Sequence, residues 1–181
     1  MGGAPKGFVR FRGEPVAARS LGLFRALFDE VLVIANDPAP WRALGARVVP
    51  DAIPGKGAPG GLHAALRASR TGWIFAAACD MPFLSEEPIR HLASLRGEER
   101  AVAVAWSHGL EGLHAFWSRK ALPTVERLLQ DGDPSLRDVA AAVGARIVPE
   151  PEWRLVDPEG RSFENANTPE DLLRLGLLPP E

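Results

Sequence analysis

Hydrophobic positions along the chain alternate between two textures. Short apolar runs, rich in β-branched and small residues, occupy 31–35 (VLVIA), 73–78 (WIFAAA) and 101–106 (AVAVAW), and 46–49 (ARVV, closing at Pro50) is similar apart from Arg47. Runs of this kind, with no polar residue at alternate positions, predict strands covered on both faces, as in parallel sheets. Between them the apolar residues recur at helical spacing. Val16, Leu21, Leu23, Phe24, Leu27 and Phe28 do so within 14–28, a second helix is predicted over 60–70 opening at Gly60-Gly61, and a third over 85–95. The third has Ser85 in the N-cap position and Glu86 and Glu87 in its first turn, where the helix dipole favours negative charge. Strands alternating with helices predict βαβ units and a mostly parallel sheet.

Beyond about residue 107 the texture changes. LHAFWSR, at 113–119, reads as a further strand, 119–130 and 134–143 as helices, and RIVPE as a short strand. The tail NTPEDLLRLGLL reads as a helix capped by Thr168, with Pro169 at its first position and Glu170 and Asp171 in its first turn. No repeat, linker or low-complexity segment interrupts the chain, so residues 1–181 are expected to form a single domain.

Charge and composition narrow the class. With 46% hydrophobic residues and a net charge of −2, the chain has the make-up of a soluble globular protein and no field that would gather nucleic acid or an anionic membrane surface. No apolar run reaches membrane-spanning length. A lone cysteine, Cys79, excludes an internal disulfide framework, and no secretory h-region follows Met1, so a cytoplasmic location is expected. The histidines His63, His91, His108 and His114 lack metal-ligand spacing, and Cys79 is expected to pack as a small buried thiol. Trp106, Trp117 and Trp153 are expected in the core or at its rim.

Candidate chemistry gathers at strand ends. Asp80 follows the alanine-rich run 73–78, with Pro82 just behind it. In open α/β sheets ligands bind outside the carboxyl ends of strands, and Asp80 lies too far from the helix after Ser85 to cap it. MGGAPKG sets Lys6 among glycines, whose exposed N–H groups and ammonium suit phosphate. Lys56 is the other lysine in a glycine-rich loop. PDAIPGKGAPGGL follows a strand with Asp51 and ends in Gly60-Gly61 at the expected helix start, an anion site by its backbone. FENANTPEDL presents Asn165 and Asn167 just before a helix, where each could equally be a turn former.

Taken together these stretches resemble the molybdenum cofactor guanylyltransferases of the nucleotidyltransferase superfamily, over residues 1 to about 175. The family's Met-Gly-Gly-x-x-Lys-Gly is similar to Met1–Gly7, its second-strand Ala-Asn to Ala35-Asn36, and its Pro-Asp to Pro50-Asp51. Cys-Asp-x-Pro-Phe is similar to Cys79–Phe83, and Asn-x-Asn-Thr-Pro-Glu-Asp-Leu to 165–172. The resemblance implies an α/β fold, a Rossmann-like three-layer αβα arrangement of nucleotide-diphospho-sugar transferase type. It also implies that Lys6 binds nucleotide phosphate, Asp51 the guanosine end with Gly60 and Gly61 in the nucleotide loop, and Asp80 the Mg²⁺ ion. Asn36, Asn165 and Asn167 would line the molybdopterin side.

The implied reaction joins GMP from GTP to the phosphate of molybdopterin, releasing pyrophosphate. That acceptor is already charged near neutrality, so no general base is required, which accounts for the lack of a catalytic triad in the sequence. The alternatives are another small-molecule nucleotidyltransferase using CTP or a sugar phosphate, and a nucleotide-binding protein without catalysis. Molybdoenzymes or their chaperones are candidate contacts.

The sequence departs from the family in several places. Family members carry a buried strand and a Leu-Ala-Gly-Gly-type loop ahead of the Met-Gly-Gly, at which this sequence opens. The fold is thus expected to lack the usual first strand. Strands 31–35 and 73–78 would flank it, and should stand apart, close on each other or accept a substitute. Residues 1–181 alone are expected to show weak or no transfer. Gly57–Gly61 replaces a Gly-Pro-Leu-x-Gly pattern, Ile34 stands where a polar residue is common, and His114 precedes Ala115 instead of proline.

Overall fold

A computed structural model describes residues 6–107 and 109–179. After a 3₁₀ turn at Lys6–Phe8 come β1 (Arg10–Phe11), β2 (Glu14–Pro15), α1 (Val16–Leu27), β3 (Leu32–Ile34), α2 (Ala39–Arg42), β4 (Arg47–Val49), α3 (Gly57–Ala68) and β5 (Trp73–Ala77). Then follow α4 (Glu86–Ser94), β6 (Ala101–Trp106), β7 (Gly109–Ser118), α5 (Leu122–Asp131), α6 (Leu136–Val143), β8 (Arg146–Val148), α7 (Glu150–Trp153), α8 (Pro169–Leu175) and β9 (Leu177–Leu178).

The central sheet has the order β5-β7-β6-β8. β7 is antiparallel to both β5 and β6, and β8 is parallel to β6, so β5, β6 and β8 all run one way. Strand direction is therefore mostly parallel, while the hydrogen-bonded pairs are mixed because β7 is inserted reversed. The alternation of strand side chains builds two cores. Ala101, Ala103, Ala115 and Trp117 face Leu62 and Leu66 of α3, Val125 and Leu129 of α5 and Val139 of α6. Val102, Val104 and Phe116 face the opposite way, towards Ile89 and Leu92 of α4, Trp153, Phe163 and the aromatic side of α1. Helices on both faces of the sheet make three αβα layers.

β3 and β4 form a separate parallel pair, with Val33 opposite Val48. Among the described residues β3 pairs only with β4, and β5 only with β7. A cavity of about 840 Å³ lies between these two strands, lined by every residue of β3 and β5 together with Phe24, Phe28 and Leu62. The residues of β3 and β5 are consequently half-buried, whereas Ala101–Val104 of β6 are fully buried. Of the three outcomes expected for these flanking strands, they stand apart.

Three two-residue strands that carry no periodicity form a small sheet in the order β2-β1-β9. The hairpin between β1 and β2 turns through Arg12 and Gly13, with φ of 52° and 86°. Successive positive-φ residues match the twist of a tight hairpin, and glycine meets that demand without strain while arginine does not. The terminal helix α8 is closed by a reciprocal capping box, in which Thr168 Oγ1 accepts from the Asp171 N–H and the Asp171 carboxylate accepts from the Thr168 N–H.

Candidate active site

Asp80 stands at the carboxyl end of β5, three residues beyond Ala77, with only 7% of its surface exposed. It lines the wide cavity beside β5 together with Asp51, Gly61 and Cys79. Two other segments are held against this strand end. The Ala166 N–H donates to the Asp80 backbone carbonyl at 3.0 Å, which ties the Asn165–Asn167 loop to this strand end. Ala166 is fully buried, and the Asn165 Oδ1 atom is buried without a hydrogen-bond partner.

Gly7 packs on the other side of the same strand end. A Cβ at Gly7 would lie 2.8 Å from the Cys79 carbonyl oxygen and 3.1 Å from the Cys79 Cβ, so only glycine lets this turn approach β5 so closely. The backbone of Lys6 is thereby brought to the Asp80 end of the sheet. Its ammonium, and the Met1–Pro5 part of the expected phosphate loop, lie outside the described residues.

Asp51 follows β4 and forms a reciprocal pair with Asn36. The Asn36 amide donates to Asp51 Oδ2 at 3.1 Å, and the Asp51 N–H donates to Asn36 Oδ1 at 3.0 Å. Asn36 therefore holds Asp51 on the cavity rim. Spacing along the chain offered no signal for this pairing.

The glycine loop differs from expectation. α3 begins at Gly57, three residues before Gly60, because Gly57 adopts φ of 56° and Pro59 is tolerated within a first helical turn. Gly60 and Gly61 thus lie inside the helix. Gly60 is buried, and a Cβ there would sit 2.9 Å from the Lys56 Cβ, so its role is close packing. Gly61 faces the cavity, opposite Ile34. Lys56 turns away to the end of α5, where its Nζ donates to the Asp133 carboxylate at 2.7 Å and to the Gly132 carbonyl at 2.9 Å.

Other expectations are corrected. Cys79 is exposed, because it follows a strand edge that faces the wide cavity. Ser85 holds the N-cap position of α4, but its side chain accepts no capping hydrogen bond. Trp117 and Trp153 are fully buried, and Trp106 packs over Gly160. His114 is also fully buried, between Phe75, Trp153 and Phe163, and this burial lowers its pKa from 6.5 to about 4. His108 lies outside the described residues.

Among the described residues no three His, Cys, Asp or Glu side chains gather to hold a metal by themselves. One hard carboxylate at the mouth of a wide cavity fits an ion that keeps several waters and takes its remaining ligands from substrate phosphates. No helix among the described residues is long and apolar enough to cross a membrane.

Known proteins share both the sequence pattern and the fold. A molybdenum cofactor guanylyltransferase of Desulfosudis oleivorans is 30% identical over 172 residues, covering 94% of this chain and 85% of that protein. One from Syntrophotalea carbinolica is 30% identical over 171 residues, covering 93% and 81%. The crystal structure of molybdopterin-guanine dinucleotide biosynthesis protein A from Archaeoglobus fulgidus superposes with a TM-score of 0.79 at 28% identity, covering 96% of this chain and 89% of that one. A 2-C-methyl-D-erythritol 4-phosphate cytidylyltransferase from Thermus thermophilus shares the fold, with a TM-score of 0.69 at 15% identity. Residues 1–149 match the model of the MobA-like NTP transferase domain, and the chain belongs to that family.

Proposed function

We propose that the protein transfers GMP from GTP to the phosphate of molybdopterin, forming the guanine dinucleotide cofactor and pyrophosphate. The observation that carries this reading is one cavity lined by both Asp80 and Asp51, with the Asn165–Asn167 loop bonded to the Asp80 backbone, in a chain whose relatives are guanylyltransferases. A phosphate oxygen of the acceptor attacks the α-phosphorus of GTP, and the bond to the bridging oxygen breaks with its electron pair leaving on pyrophosphate. The acceptor is an anion at neutral pH, so no side chain has to remove a proton.

The demands on the protein are positioning and charge neutralisation. In this reading Lys6 binds the nucleotide phosphates. Asp51, oriented by Asn36, accepts hydrogen bonds from the guanine edge, while Gly61 leaves room beside it. Asn165 and Asn167 hold the pterin-bearing partner, with Asn36 contributing on that side of the rim. Asp80 holds a divalent ion, Mg²⁺ in this proposal, which when bound draws charge from the transferring phosphoryl group. A structure of the same fold from Mycobacterium tuberculosis, 20% identical with a TM-score of 0.67, is a manganese complex. The substrates are small and water-soluble, which suits a cytoplasmic enzyme.

The test is pyrophosphate release with GTP or CTP and molybdopterin. GTP is expected to be preferred, and Asp80→Asn, a near-isosteric change, is expected to lower turnover on the order of 100-fold with little change in melting temperature. Equal use of CTP would move the assignment to the cytidylyltransferase branch, and an undiminished D80N variant would remove Asp80 from the chemistry.

A further inference from the structure

A second cavity, of about 550 Å³, lies away from β3 and β5, between the β1–β2 hairpin, α1 and residues 82–88. Its distinctive feature is three guanidinium groups over a pair of aromatic rings. Arg12 and Arg19 each sit 5.1 Å from the centre of the Phe11 ring, and Arg161 sits 4.2 Å from that of Phe83. Phe11 and Phe83 meet edge to face at 5.3 Å, so one aromatic platform carries all three cations.

Most of that positive charge lacks a close ion-pair partner among the described residues. Arg19 has a distant ion pair with Glu14 at 3.8 Å. Arg12 and Arg161 have no carboxylate at ion-pair distance among the described residues. Glu87 and Asp157 also line the cavity and temper its positive charge without touching a guanidinium; the Asp157 carboxylate accepts from the N–H groups of Arg161 and Ser162 and from the Ser162 hydroxyl. Three guanidinium groups and two carboxylates thus line one cavity, with the guanidinium groups stacked on the aromatic pair.

Backbone geometry strengthens the case. Arg12 is the single non-glycine residue with positive φ among those described, at 52°. An arginine held in a left-handed turn, where glycine would fit without strain, is a conformation that persists because something else requires the side chain. The Arg10 guanidinium donates to the Gly13 carbonyl at 3.1 Å and fixes the turn that presents Arg12.

We propose that this cavity binds a planar ligand bearing a phosphate or similar oxyanion, distinct from the nucleotide and metal site at Asp80. Guanidinium groups grip oxyanions through paired N–H donors and present a flat face on which a heteroaromatic ring stacks. The volume is of the size that holds a small molecule of that kind. The inference does not depend on the transfer reaction.

The experiment uses the whole chain and flavin mononucleotide as a fluorescent probe, with riboflavin as the form lacking phosphate. Flavin mononucleotide is expected to bind saturably, and riboflavin about tenfold or more weakly. Arg12→Gly and Arg161→Gln are each expected to weaken flavin mononucleotide about tenfold, and Asp80→Asn to leave it unchanged. Arg12→Gly is the informative variant because glycine relaxes the turn, so its melting temperature is expected to hold or rise. Absence of saturable binding, equal affinity in the arginine variants, equal affinity for riboflavin, or loss of binding in D80N would each overturn the proposal.

Discussion

His114 is the residue at which burial and polarity conflict most directly. Neither ring nitrogen reaches a hydrogen-bond partner, and aromatic rings surround the imidazole. Burial is the dominant cause of its low pKa, opposed in part by its own backbone and by the Asp157 charge. In the unfolded chain the group titrates near 6.5 and in the folded chain near 4, so between these values the unfolded state binds more protons. The stabilising effect of keeping His114 neutral is complete above about pH 6.5 and fades as pH falls towards 4. The shift corresponds to an upper bound of about 3 kcal/mol. Urea melts at pH 7.5 and pH 5 are expected to show the loss, and His114→Leu to flatten it; an unchanged slope in that variant would assign the pH dependence to other groups. The sequence revealed the lack of metal-ligand spacing around His114 and an alanine after it where the resembled family has proline. Its enclosure arises from residues at 75, 153 and 163, which only the fold brings together.

Elements with a local signal were legible, and those without one were not. The long apolar runs became β3, β5 and β6 close to their expected bounds, and the Thr168-Pro169-Glu170-Asp171 signature became the capped start of α8. By contrast β1, β2 and β9 are two residues each, too short for any period, and exist through mutual pairing. The early start of α3 was missed because Gly57 and Pro59 read as loop residues, although both are tolerated in a first turn. α8 has a functional consequence, since it follows directly on the loop whose Ala166 N–H fixes Asn165 and Asn167 at Asp80. Thr168→Ala is expected to cost about 1 kcal/mol, seen as a melting temperature lower by about 2–4 °C. It should also raise the KM for the acceptor more than that for GTP. A variant with the same melting temperature as the parent chain would show that α8 is held by packing alone.

At the scale of the whole molecule, the two halves of the candidate site belong to sheets that share no strand pairing among the described residues. Asp80 and the Asn165–Asn167 loop are carried by β5 and the four-stranded sheet, and Asp51 with Asn36 by the β3–β4 pair. Between them the half-buried faces of Phe24, Phe28 and Phe75 and the edges of β3 and β5 line the 840 Å³ cavity. Asp51, Gly61 and Asp80, singled out in the sequence, line this cavity, because strand-end motifs are local. The sequence could not give the separation, which depends on how two edges are bridged. Unpaired strand edges and enclosed apolar surface both favour association and dye binding, and a loosely spanned site weakens in-line positioning. Residues 1–181 are therefore expected to bind an environment-sensitive naphthalene sulfonate dye saturably under native conditions. Sedimentation should show self-association that grows with concentration, and guanylyl transfer should be slow beside that of the Desulfosudis oleivorans relative. A monomer that leaves the dye dark and turns over as fast as that enzyme would show that the gap between β3 and β5 is closed in solution, with Asp51 and Asp80 drawn together.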